Sequence, residues 1–185
     1  FQLNYHKYYT ESQKTAQWLI NHLSNHIVLE DKNILDWGCG PGRIIRHFPN
    51  LLGNSCRYFG TDYNKESIRW CSKNIEGVTF NHNSLVAQLP YEDNFFDVIY
   101  GISIYTHLSE KMHFEWHREL RRILKVGGIM FLTTQGDPFK VKLTNQELIQ
   151  YNAGRLVVRG DTKEGHRTFS AFHPTIFMKK MLQNF

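Results

Sequence analysis

Apolar residues recur at helical spacing across residues 10–29, at Ala16, Leu19, Ile20, Leu23 and Ile27. They sit behind Thr10 and Gln13, spaced as a capping pair, and the pattern predicts one helix. Short β-like runs then alternate with helical stretches. Strands are predicted at 33–36, 57–61, 78–81, 96–102 and 129–134, with helices near 42–48, 65–74 and 109–124. In the last helix Ser109 caps, Glu110 suits the positive end, and Met112, Trp116, Leu120 and Ile123 line one face before Gly127-Gly128 stops it. Alternating β and α elements predict an α/β fold, with a parallel sheet flanked by helices. Beyond residue 134 the pattern changes. Thr144 and Glu147 open a short helix, and runs at 155–159 and 167–172 flank Gly160 and Gly165 as a β-hairpin inserted after the fifth strand. His173-Pro174 starts a final helical pattern reaching Phe185.

Composition narrows the class. With 185 residues, 41% hydrophobic and 21% charged, the chain is large enough for one globular domain with its own core. Lys and Arg outnumber Asp and Glu by 22 to 17, without charge blocks. Arg118, Arg121, Arg122 and Lys125 form one basic helix side, read as a solvated face, so nucleic acid is disfavoured as a partner. Cys39, Cys56 and Cys71 are odd in number and lack a CxxC spacing, which argues against a disulfide framework or a cysteine zinc site and fits a cytoplasmic setting. His22/His26 and His113/His117 stand at helical spacing without an evident third ligand, and no metal is expected. No apolar run approaches the roughly 20 residues of a membrane span. No feature specifies an oligomer, and the opening lacks an initiator Met, as in a processed or trimmed piece.

The segment ILDWGCGPGRII at 34–45 carries the chemistry: a strand, a turn with Gly38, Gly40 and Gly42, then a predicted helix start. Glycines in such a turn let a ligand lie against the main chain. Arg43 occupies the place where a nicotinamide or flavin fingerprint needs a small residue, and no Gly-Lys-Ser/Thr ending for a triphosphate follows. Asp36 precedes the turn and suits a cationic amino group. Asp62, closing the second strand about twenty residues past the turn, suits a ribose diol or, alternatively, caps the next helix. Tyr63 beside it suits an adenine face.

These segments, with YFGTDYNKESI, LPYEDNFFDVIYGISIYTHL and ELRRILKVGGIMFLTT in order, make residues 33–134 resemble the class I S-adenosylmethionine-dependent methyltransferases, particularly the small-molecule type 11 and type 12 groups. The resemblance implies a doubly wound, Rossmann-like, mostly parallel sheet within a single domain spanning 1–185. Its parts are a helical cap at 1–32, a cofactor-binding core at 33–134, an acceptor-side insertion at 135–173 and a final helix at 174–185, with the last strands of the familiar fold missing from the chain. It also implies S-adenosylmethionine as cofactor. Asp36, Gly38 and Gly40 are expected to hold its methionine portion, with Ile102 and Ser103 passing beside it, and Cys39 and Gly42 complete the cofactor-binding turn, Cys39 as a small residue that fits it. Asp62 is expected to bind the ribose, and Tyr63, Asn83, Ser84 and Leu85 to surround the adenine. Asn83 departs from the Asp common at that place.

Methyl transfer from a sulfonium mainly requires alignment, and a base matters only where the acceptor must lose a proton. His107, just past the fourth strand, is the candidate catalytic base, the alternative being a histidine that anchors the turn. Tyr9, Tyr105 and His173 are candidate acceptor-binding residues, from the aromatic run Tyr5, Tyr8, Tyr9 and from the insertion. An Asn/Asp-Pro-Pro-Tyr/Phe turn is replaced by Gly-Ile-Ser-Ile-Tyr, which disfavours a nucleic-acid acceptor. The expected activity is O- or N-methylation of a small molecule. A non-catalytic cofactor-binding partner subunit and a nucleic-acid methyltransferase are the alternatives.

Overall fold

The computed structural model describes residues 4–160, 164–165 and 168–183. A helix α1 (Tyr5–Ser24) is followed by β1 (Asn33–Trp37), a 3₁₀ turn at Ile45–His47, α2 (Phe48–Leu52), β2 (Arg57–Asp62), α3 (Lys65–Asn74), β3 (Val78–His82) and β4 (Phe96–Gly101). After a 3₁₀ turn at Tyr105–His107 come α4 (Glu110–Ile123), β5 (Leu124–Leu132), a 3₁₀ segment at Asp137–Lys142, α5 (Asn145–Asn152), β6 (Val157–Arg159), β7 (Ser170–Phe172) and α6 (Thr175–Gln183). The five-stranded sheet has the order β3-β2-β1-β4-β5. β1 runs parallel to both β2 and β4, and β2 to β3, as the alternating pattern predicts. Reversal of strand order beside β1 creates the crevice where doubly wound sheets bind ligands.

The chain divides into two compact units, Phe1–Tyr100 with Arg122–Phe131, and Gly101–Arg121 with Leu132–Phe185. In the first, β1 is buried at every position, so Ile34 and Leu35 join Val98 and Ile99 of β4 in a core that reads as a continuous apolar run. Ala16, Leu19, Ile20 and Leu23 of α1 are buried, as their spacing predicts. Phe59, Tyr91, Phe95 and Phe96 form an aromatic cluster with centroids 4.7–5.9 Å apart. In the second unit, Leu143, Tyr151, Val157 and Phe172 make a separate core, with Phe139 and Leu148 packed against it.

Three boundaries differ from the pattern-based expectation. α1 starts at Tyr5 because Asn4 Oδ1 accepts from Lys7 N at 2.9 Å, while Thr10 lies inside the helix and its hydroxyl donates to the His6 and Lys7 carbonyls. No helix begins at 42. Gly42 has φ +65°, and the chain passes through the 3₁₀ turn before α2 forms with Pro49 in its first turn. Gly127 and Gly128 lie inside β5 instead of capping α4, and a Cβ on Gly128 would stand 2.9 Å from the Asp97 carbonyl oxygen. The hairpin exists as β6 and β7, paired antiparallel with Val157 opposite Phe172. Residues 161–163 of its expected loop and Arg167 of its expected second strand lie outside the described residues.

Gly60 illustrates how closely the sheet packs near the ligand crevice. A Cβ there would meet Phe80 at 2.7 Å and Cys39 Sγ at 3.1 Å. Gly60→Ala is expected to destabilise the fold by about 1–3 kcal/mol through overpacking, read as a lower denaturant midpoint with an unchanged m-value.

Candidate functional site

The turn after β1 is held from the end of β2. The Gly38 and Cys39 amides both donate to the Thr61 carbonyl, at 2.8 and 3.0 Å. Gly40 N donates to Asp62 Oδ2 at 2.8 Å, and Asn64 N to Asp62 Oδ1 at 2.7 Å. β3 is joined in turn, because Asn83 N donates to the Asp62 carbonyl at 3.1 Å and Thr61 Oγ1 donates to Asn83 Oδ1 at 2.5 Å. Asp36, Gly38, Cys39, Gly40, Asp62 and Asn83 are thereby brought to one end of the sheet.

The glycines of the turn have different reasons to be glycine. Gly38, Gly40 and Gly42 all have positive φ, at 76°, 53° and 65°. A Cβ on Gly42 would strike Ile75 at 2.7 Å, so that position serves packing. A Cβ on Gly40 would meet nothing within 4 Å. Open space therefore lies over Gly40, next to a carboxylate. Each Asp62 oxygen accepts one backbone N–H and retains a second lone pair, and the residue is 8% exposed. Asp62 does not cap α3, since Asn64 Oδ1 accepts from Ser67 N. Asn83 spends its amide on the Ser84 carbonyl at 2.7 Å, Leu85 is half-buried, and Ser84 is exposed. Tyr63 is 45% exposed.

Asp36 lies beneath the turn, paired in register with Gly60 and Tyr100. Burial pushes its carboxyl up to about 7, with the neighbouring Asp62 charge adding to the rise, and Tyr100 and Arg43 acting against it. The Tyr100 phenol approaches Asp36 from β4, although among the described residues its hydroxyl makes no hydrogen bond of good geometry. Burial and the charges of Asp36 and Asp62 raise the Cys39 thiol far above its ordinary range, so this cysteine fills space and is not a reactive thiolate.

The second unit holds the other candidates. Ile102 is half-buried, and Ser103 leaves β4 with φ +62°, its amide donating to Thr133 Oγ1 at 2.7 Å. A non-glycine residue held in that conformation is a mark of functional turns. His107 Nδ1 stands 2.9 Å from the Phe169 carbonyl. A carbonyl only accepts, so Nδ1 carries the ring proton and Nε2 keeps its lone pair. Tyr105 is buried and stacks on His113, with centroids 4.7 Å apart. His173 is 2% exposed. Gln135 N donates to its Nδ1 at 3.3 Å, so its Nε2–H donates to His113 Nε2 at 2.8 Å, and His113 Nδ1–H donates to the Ser109 carbonyl at 2.7 Å. His113 therefore partners His173, sixty residues away, instead of the helically spaced His117. Tyr9, in the first unit, is 47% exposed and sets its ring edge against His47 at 4.7 Å.

Residues 34–128 match the methyltransferase domain family. The chain belongs to the class I S-adenosylmethionine-dependent methyltransferases. Over 104 residues it is 35% identical to the tRNA (carboxymethyluridine(34)-5-O)-methyltransferase of Arabidopsis thaliana, covering 54% of this chain and 23% of that protein. It is 31% identical over 104 residues to norajmaline N-methyltransferase of Rauvolfia serpentina, covering 52% and 34%. The chain thus spans about a quarter to a third of these curated relatives' length. The PH0226 protein of Pyrococcus horikoshii OT3 shares the fold with a TM-score of 0.63 at 21% identity, covering 95% of this chain and 82% of that one. The space over Gly40 and the spare acceptors of Asp62 give the turn a geometry that fits such a cofactor. Thr61 and Tyr100, whose roles come from strand register, carry no sequence signal, and the spacing that singled out His113 beside His117 gave no hint of its remote partner His173.

Burial holds His113 and His117 down to about 4 and His173 down to about 3, so all three are neutral in the fold. Their contribution is complete above the unfolded value near 6.5 and is lost as pH falls toward 4. Asp36 opposes this, since a raised carboxyl stabilises below about 4 and loses that contribution as pH rises toward 7. Chemical denaturation between pH 6.5 and 4 is expected to show stability falling on acidification. Asp36→Asn is expected to steepen the fall by about 1.4 kcal/mol per pH unit; an unchanged slope would contradict the protonation states given above.

Proposed function

We propose that this domain binds S-adenosylmethionine across the 38–42 turn and transfers its methyl group to an oxygen or nitrogen of a small-molecule acceptor. The observation that carries the reading is the open space over Gly40 beside the Asp62 carboxylate. When bound, the cofactor supplies a methyl group on a sulfonium, whose departure needs no protonation. The chain's own residues bind and orient. Asp62 takes the ribose hydroxyls on its remaining lone pairs, and Tyr63 covers an adenine face with its exposed ring. Asp36 attracts the amino group of the methionine portion. Asn83, Ser84 and Leu85 border the adenine.

His107 acts as the base for an acceptor that must lose a proton. The Phe169 carbonyl orients its ring and leaves Nε2 as the accepting atom. Similarity to norajmaline N-methyltransferase supports a small-molecule acceptor. The second reading is a nucleic-acid acceptor, favoured by the similarity to a tRNA methyltransferase. Against it, two residues of the expected basic helix side are already engaged, and one of them is not helical: Arg122 of α4 binds Asp93 at 2.7 Å, and Lys125, which lies in β5, binds Asp97 at 2.8 Å.

Titration with S-adenosylhomocysteine is expected to give micromolar binding that Asp62→Ala weakens at least about tenfold, the loss of a charge-assisted contact. Because Asp36 sits near pH 7, the ligand's ammonium is expected to displace about half a proton there. Calorimetry in buffers of different ionisation enthalpy reads that release, which Asp36→Asn abolishes. Absence of binding by the wild-type chain would reject the cofactor reading. His107→Ala is expected to lower kcat about 10²-fold or more on a hydroxyl acceptor while leaving S-adenosylhomocysteine affinity unchanged.

A further inference from the structure

We infer that Lys7 and Arg43 form a subsite for a carboxylate or phosphate group on the methyl acceptor, a conclusion that rests on the methyltransferase reading above. An open cavity of about 480 Å³ in the first unit is lined by Asn4, Lys7, Tyr8, Glu11 and Arg43. Arg43 directly follows Gly42, so the cavity adjoins the turn assigned to the cofactor. Arg43 is half-buried, and among the described residues its guanidinium makes no hydrogen bond or ion pair; its charge is felt by Asp36 through space. A partly desolvated guanidinium without a partner is costly, and its planar fork matches a carboxylate or a phosphate.

Charge around the cavity points the same way. Glu11 is the one acid in the lining, and it is already held by Lys14 at 2.9 Å. Lys7 adds a second cation, whose charge Glu11 also feels, so among the described residues the lining presents two positive groups against one carboxylate that Lys14 pairs. Their positions are built into the fold. Asn4 caps the first turn through Lys7 N. Further along α1, His47 Nε2–H donates to Ser12 Oγ at 2.8 Å, and the Ser12 hydroxyl donates to the Tyr9 carbonyl at 2.8 Å. This contact ties the helix to the 3₁₀ turn that begins two residues after Arg43. Tyr8, half-buried, supplies an apolar wall for the remainder of the acceptor.

The test titrates the full chain with inorganic phosphate, with and without saturating S-adenosylhomocysteine, using Lys7→Gln, Arg43→Gln and Arg43→Lys beside the wild type. Circular dichroism checks that each variant is folded. Expected are phosphate binding in about the millimolar range and weakening of about tenfold in each glutamine variant. Arg43→Lys retains most of the binding, and S-adenosylhomocysteine affinity stays within about twofold throughout. Phosphate binding that is absent, or that the glutamine variants leave unchanged, overturns the subsite. Loss of affinity in Arg43→Gln for S-adenosylhomocysteine but not for its decarboxylated analogue would show that the cations serve the cofactor's own carboxylate, and overturns the acceptor assignment. Phosphate binding that depends on Lys7 and Arg43 in a chain that does not bind S-adenosylhomocysteine rejects the methyltransferase reading while the anion site stands.

Discussion

The Asp62 carboxylate is the constraint on which the ligand end of the sheet depends. It accepts the Gly40 amide with one oxygen and the Asn64 amide with the other, so one side chain sets both the glycine turn and the entry to α3. Buried backbone amides need such partners, and a carboxylate can satisfy two while keeping capacity for a ligand. The Thr61 carbonyl repeats the arrangement one residue earlier by accepting from Gly38 and Cys39. The turn is consequently held by the protein's own hydrogen bonds, and a loop fixed in this way spares binding the entropy of organising it.

A different economy governs the second unit. His173 and His113 sit in a buried chain of hydrogen bonds in which every ring proton has one allowed place, from Gln135 N to the Ser109 carbonyl. Two neutral imidazoles joined in this way connect the end of β7 to α4 without burying a charge. His107, one turn before α4, is held by the Phe169 carbonyl, and the Gly165 amide donates to the His107 carbonyl at 2.9 Å. The inserted hairpin therefore orients the candidate base, which links an addition to the common fold with its chemistry.

Much of this was legible in the chain because its signals are local. The buried strands read as apolar runs, α4 showed its apolar stripe, and 34–45 with Asp62 marked the crevice by residue type and spacing. Boundaries were less legible where a competing local preference prevailed. Asn4 captured the start of α1 ahead of Thr10, and the positive φ of Gly42 postponed α2. Gly127-Gly128 resembled a helix stop, but close approach to β4 gives Gly128 its role in a strand.

By itself the sequence determined the alternation of elements, the glycine turn, the acidic residue that closes β2 and the family they mark, because each depends on residues close together in the chain. Tertiary structure decided which glycine leaves space and which merely packs, that His173 is buried against His113, and that Arg43 lines a cavity with Lys7. Those outcomes depend on neighbours dozens of residues apart and on how much water each group retains, and spacing along a chain encodes neither.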